Sequence, residues 1–169
     1  MTTDLPRYNN EVSPEYLRNF DQPEFTKAQL AELPEDVRAV LLERDAQKAV
    51  HPAGGIYRIA TEGSRSREGG VVVGATSSMS FRIEGASPVT FLKAARVGDR
   101  VTYPDGRSAQ IVTGAGDHNG NLALVGSRLS NGDEIIDTLF SGICIVAREG
   151  KPMHEDFLPG VAQQANQSA

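Results

Sequence analysis

The chain has 169 residues, with 17 basic and 22 acidic side chains, a formal net charge of −5 and no tryptophan. That balance excludes a nucleic-acid role built on a broadly basic surface, and so few aromatics exclude large stacking platforms. The single cysteine, Cys144, excludes an intrachain disulfide framework.

The opening stretch MTTDLPRYNNEVSPEY lacks the basic and apolar regions of a signal peptide. No apolar run approaches the roughly 20 residues that a membrane helix needs. The expectation is a cytoplasmic protein whose export, if any, uses no cleaved signal. Residues 1–25 are polar and carry Pro6, Pro14 and Pro23, which predicts an extended arm. Within it, Ser13-Pro14-Glu15 offers a cap and a first-turn proline for a short helix from Ser13 to about Phe20. Thr26 caps a second helix through Leu33, and Pro34 breaks it. A third runs from Glu35 to about Lys48, with Val37, Val40, Leu41 and Ala46 as an approximate apolar stripe. Residues 1–50 thus read as an arm with short helices. It packs on the main body or on a partner, or it serves as a docking handle for a cargo adaptor or chaperone.

His51-Pro52-Ala53-Gly54-Gly55 marks a boundary. From Ile56 onward the texture becomes short β segments, IYRIA, GVVVGA, MSFRIEG, AQIVTGA, NLALVG, EIIDTLF and ICIVA, separated by glycine turns. Asn119-Gly120 and Asn131-Gly132 are tight-turn signals, because both residue types tolerate positive φ. The spacing predicts a mainly β, antiparallel body over residues 51–150. Residues 151–169 read as a partly flexible polar tail, with Phe157, Leu158 and Val161 as candidate anchors.

The β body repeats itself. Ala95, Val97, Gly98 and Arg100 recur 28 residues later as Ala123, Val125, Gly126 and Arg128. An older echo lies upstream, where Gly69-Gly70 supplies a turn and Val71–Val73 a strand. The reading is three hairpin-like units that start near residues 61, 96 and 124. Each is too small to bury its own apolar face, so the units must pack on one another. With three units and no evident capping repeat, closure around a pseudo-threefold axis is expected over a linear stack. Gly98 and Gly126 fit positions where the backbone bends. Arg100 and Arg128 follow the bend, where they form a repeated ion pair, bond to neighbouring backbone or meet a partner.

The segments GGVVVGA, AARVGDRVTYPDG, IVTGA and ALVGSRLSNGDEI resemble the PAAR-repeat family over about residues 60–140. Lys93-Ala94-Ala95-Arg96 stands where that family has Pro-Ala-Ala-Arg, and Asn121-Leu122-Ala123-Leu124 is a weaker second copy. The resemblance implies a short β cone of three pseudo-threefold hairpin units. It implies that the base sits on a trimeric, VgrG-type spike protein of type VI secretion systems or related contractile tails. Such a cap sharpens the spike for membrane puncture and carries effectors, fused or docked. It starts in the cytoplasm and leaves the cell at the spike tip.

The same resemblance implies a metal ion near the tip, held by His and Cys at the turns that open each unit. Here those places hold Arg67 or Glu68, Tyr103 and Asn131, none of them His or Cys. The expectation is a tip without that ion, held by hydrogen bonds and side-chain packing. His51, His118, Cys144 and His154 have no close metal spacing. A partial zinc set of His51, Cys144 and His154 requires both ends of the β body to meet. Asp117-His118 and His154-Glu155-Asp156 are the neighbouring acid–base sets, but they fall in a turn and a tail. No nucleophile motif or phosphate loop appears. The expectation is therefore a non-enzyme with no catalytic residue and no cofactor. A small metal-dependent hydrolase using the histidines is the competing reading.

Overall fold

The computed structural model describes residues 5–159. Its elements are α1 (Pro14–Asn19), α2 (Lys27–Ala31), α3 (Glu35–Val50), β1 (Ala53–Arg58), β2 (Val71–Val73), β3 (Ser80–Arg82), β4 (Phe91–Lys93), β5 (Arg100–Thr102), β6 (Ser108–Gln110), the 3-10 turn η1 (Asp117–Asn119) and β7 (Cys144–Arg148). The strands form small sheets in the orders β1-β7, β2-β5-β6 and β3-β4. The chain divides into two units, one of residues 11–56 and 146–151, the other of 5–10, 57–145 and 152–159.

In the helical unit the caps are those the sequence predicts. The Tyr16 amide donates to Ser13 Oγ at 3.1 Å, with Pro14 in the first turn of α1. Thr26 and Gln29 form a reciprocal capping box at the start of α2, at 2.9 and 3.2 Å. The Arg38 guanidinium donates to the carbonyls of Leu30 and Leu33, each at 3.1 Å, and so ties α3 to the end of α2. None of the 16 residues of α3 is buried. Asp21 accepts from the Ala53 amide at 3.0 Å and from Arg148 at 2.7 Å, which holds the loop after α1 against β1 and β7.

The β unit is built from one local motif used three times. Thr61, Arg96 and Leu124 each begin a tight turn in which the residue three positions on donates back, from Ser64, Asp99 and Ser127 at 3.0, 3.1 and 2.9 Å. The side chains of Ser64, Asp99 and Ser127 return the bond to the amides of Thr61, Arg96 and Leu124. All three are buried polar residues, and Asp99 also accepts from the amide and hydroxyl of Thr76 at 3.1 and 2.6 Å. The turn needs a left-handed residue, and Gly63, Gly98 and Gly126 supply it at φ +86°, +97° and +108°. Their amides donate across each hairpin to Val72, Ile111 and Ile135, and those residues bond back to Ser64, Asp99 and Ser127.

The hairpins then pair in a closed circuit. β2 of the first hairpin is antiparallel to β5 of the second. The second strand of the second hairpin bonds to the third through Val112 to Arg128 at 2.9 Å and Ser130 to Gln110 at 2.8 Å. The third returns to the first through Arg67 to Glu134 and Ile136 to Arg65, both at 2.9 Å. A ring of three backbone bonds repeats the circuit: Ala95 donates to Ala60, Ala123 to Ala95 and Ala60 to Ala123, at 2.9, 2.8 and 2.9 Å. All three alanines are 0% exposed. Closure leaves no strand edge along the circuit, and alanine is the side chain that lets three backbones approach.

Inside the circuit Val72, Val101, Tyr103, Ala109, Ile111, Leu129 and Ile135 form one apolar cluster. A second cluster joins Ile59, Ala94 and Leu124 to residues from the connections, Phe81, Ala115, Phe157 and Leu158. Phe81 stacks on Phe140 at 3.9 Å, and Tyr57 meets Phe157 edge-on at 5.0 Å. The first part of the tail is therefore packed: Phe157 and Leu158 are 1% and 4% exposed, and Leu158 donates to Gly114. Val161 lies outside the described residues. Residues 5–10 are tied to the β unit as well. Tyr8 exchanges two backbone bonds with Thr138, and the Asn10 amide group bridges the Val125 carbonyl and the Arg58 amide.

Candidate functional site

The turns of the three hairpins meet through a buried polar cluster. Tyr103, just past β5, donates its hydroxyl to Asp133 Oδ2 at 2.6 Å, and Asn131 Nδ2 donates to that hydroxyl at 2.9 Å. The other oxygen of Asp133 accepts from the amides of Glu134 and Glu68 at 2.7 and 3.3 Å. Ser66 lies beside the set: its hydroxyl accepts the Gly70 amide at 2.8 Å and acts electrostatically on both Asp133 and Tyr103. Each hairpin thus contributes, Ser66 and Glu68 from the first, Tyr103 from the second, Asn131 and Asp133 from the third. Burial works to raise the Asp133 pKa, but Ser66 and the bonds from Tyr103 and the two amides outweigh it and hold the carboxyl below its ordinary value. Burial, and then the bond to Asp133, push the Tyr103 phenol above its own.

Gly70 lies against this cluster. A Cβ there would stand 2.5 Å from Val101 Cγ1 and 3.0 Å from the Tyr103 ring, so only glycine fits. On the outside, Arg67 pairs with Glu134 across the seam at 2.7 Å, and Arg107 with Asp105 inside its own turn at 2.6 Å.

The turn positions at which the family resemblance implies metal ligands do not fit an ion. Arg67 faces Glu134, Glu68 contributes only its amide, and Tyr103 and Asn131 bond to each other and to Asp133. No buried side-chain donor or acceptor is left unpaired among the described residues. The donor set is that of a closed hydrogen-bonded lock.

The repeated arginines sit at the seams between hairpins. Register places Arg100 directly opposite Val73. The bridges Ile111–Leu129 and Ser66–Ile135 place Arg128 opposite Val112, and Arg65 opposite Ile136. Each seam therefore carries one β-branched residue facing one arginine, whose aliphatic stem suits an apolar neighbour while its head stays in water. Of the roles expected for Arg100 and Arg128, a repeated ion pair, a bond to neighbouring backbone or a partner contact, the ion pair occurs at the matching Arg65, which bonds Asp137 at 2.8 Å. Asp137 also takes Arg7 at 2.9 Å, whereas Arg100 and Arg128 are exposed and form no ion pair among the described residues. The reason is positional: Asp137 follows the third hairpin, and only the Arg65 seam lies beside it. Gly98 and Gly126 are at the bends, as expected.

Sequence reasoning missed Gly63 and Arg65, although Gly63-Ser64-Arg65 matches Gly98-Asp99-Arg100 and Gly126-Ser127-Arg128. In the sequence the Gly69-Gly70 turn is the more conspicuous glycine signal of the first unit. Tyr103 and Asp133 carried no signal beyond their place in the turns.

The histidines and the cysteine do not assemble as a partial zinc set. No group of three His, Cys, Asp or Glu residues able to hold a metal ion occurs among the described residues. His51 contacts the Glu149 carbonyl through Nδ1 at 2.9 Å. Cys144 is half-buried in β7, where burial pushes its thiol up. His118 and His154 do come together, with ring centroids 5.2 Å apart. The neighbouring Asp156 carboxylate accepts the Asp117 amide at 2.8 Å.

These features define a small, mainly β protein of short antiparallel sheets with a few short helices. No protein-family model, curated protein or solved structure matches the chain. No described helix is long and apolar enough to cross a membrane.

Proposed function

We propose that this chain is a PAAR-repeat-like tip protein that caps a trimeric spike of a contractile injection machine. In this reading the three hairpins form a pseudo-threefold cone, and one copy sits on one trimer. The observation that carries the reading is the closed circuit of hairpins with its ring of Ala60, Ala95 and Ala123. A single chain can match three identical chains only by repeating one motif three times, and the matched turns at Thr61, Arg96 and Leu124 do so. The Tyr103–Asp133 lock serves as the point of the cone, without an ion and without chemistry of its own. The role is mechanical, and the protein travels from the cytoplasm to the target at the head of the spike. Light scattering of the chain mixed with its cognate spike trimer tests this. One copy per trimer is expected, and no complex, or three copies, refutes it.

A second use, recruiting a separate effector through the helical unit, is supported by α3, where Val37, Val40 and Leu42 are 42%, 61% and 50% exposed. Val37→Asp with Val40→Asp should then abolish delivery of that effector and leave spike binding intact. Unchanged delivery removes this use.

A further inference from the structure

The tail folds back on the η1 turn. Leu158 donates to the Gly114 carbonyl at 2.9 Å, and Asp156 accepts the Asp117 amide at 2.8 Å. This brings together two exposed histidines 36 residues apart in sequence, His118 on η1 and His154 on the tail, with ring centroids 5.2 Å apart and planes 37° from each other.

We propose that His118 and His154 form a two-imidazole site for a first-row divalent transition metal ion, which staples the tail to the η1 turn. Imidazole is the common nitrogen ligand of such ions. With metal–nitrogen bonds of about 2.0 Å, two imidazole centroids sharing one tetrahedral ion stand about 5 Å apart. The observed separation of 5.2 Å matches that spacing. Asp117 and Glu155, the chain neighbours of the two histidines, add negative charge that favours a cation. Asp156 is committed to the Asp117 amide. With no third His, Cys, Asp or Glu in the group among the described residues, water completes the shell, so the ion exchanges readily, unlike one in a closed four-ligand site. Its effect is local: His154 lies three residues before Phe157, which is 1% exposed in the second apolar cluster. The site is separate from the turns that carry Tyr103 and Asn131, and it does not depend on the tip-protein reading.

The test uses the full chain and zinc alone. Calorimetric titration near neutral pH should give one zinc per chain and a raised Tm. His118→Ala and His154→Ala should each weaken binding by about tenfold or more, whereas His51→Ala should not. In the unmutated chain, zinc should shift the ring resonances of His118 and His154 and leave those of His51 in place, which keeps the test valid if a variant folds poorly. No zinc uptake, unmoved His118 or His154 resonances, or wild-type binding by either alanine variant overturns the proposal.

Discussion

Tyr103→Phe removes one oxygen atom from the buried cluster. The ring stays, and so does its place in the apolar cluster that holds Val101 and Ile111. What goes is the 2.6 Å bond to Asp133 and the acceptor that Asn131 uses at 2.9 Å. A hydrogen bond to a charged group contributes about 1.5–3 kcal/mol, and Asp133 is 5% exposed, so water replaces the lost donor poorly. The expected loss is about 2 kcal/mol, or about 4–8 °C in Tm for a chain of this size. The pH dependence gives a second reading. The folded Asp133 pKa lies below its unfolded value, so the folded state binds fewer protons in that window, and stability rises with pH. The contribution is complete above the ordinary carboxyl value of about 3.9 and is lost as pH falls through the folded pKa. Tyr103 is the reverse case: its folded pKa lies above its unfolded value, so its contribution is complete below about pH 10 and is lost as pH rises through the folded value. Tyr103→Phe should therefore flatten both limbs of a stability–pH profile, measured by urea unfolding. Wild-type stability at neutral pH, or an acid limb as steep as wild type, would refute the idea of a hydrogen-bonded lock.

The seams predict a graded series. Arg100→Ala should cost about 0.2–1 kcal/mol, the value of one cross-strand pair. Arg65→Ala should cost about 1–2 kcal/mol, because the buried Asp137 then keeps only Arg7 as its charged partner; equal losses in chemical denaturation would contradict the pairing. Gly70→Ala drives a Cβ into Val101 and Tyr103 and should cost about 1–3 kcal/mol, read as a drop in Tm. A neutral Gly70→Ala would mean that the turns do not converge as described.

Much of the β unit was legible because its local grammar is strict. A glycine at φ near +100° with a short polar residue after it marks a tight turn wherever it occurs, and Gly98-Asp99 and Gly126-Ser127 announced two of them. The helix caps at Ser13 and Thr26 were equally plain. The first repeat hid behind Gly69-Gly70, and the arginine partners were hidden because register across a seam joins residues up to 71 apart, as with Arg65 and Ile136. The polar cluster at the turns was illegible for the same reason: Ser66, Tyr103 and Asp133 acquire their meaning only when three turns converge. The anchors of the tail were legible as the apolar pair Phe157-Leu158 in a polar stretch, and both are buried in one cluster with Ala115.

The ring of Ala60, Ala95 and Ala123 is the joint on which the three-hairpin account rests, and amide hydrogen exchange reads it directly. These three amides should exchange together, at the slowest rate in the chain, because opening any one bond breaks the circuit. One of the three exchanging as fast as a surface loop, while the other two stay protected, would contradict it.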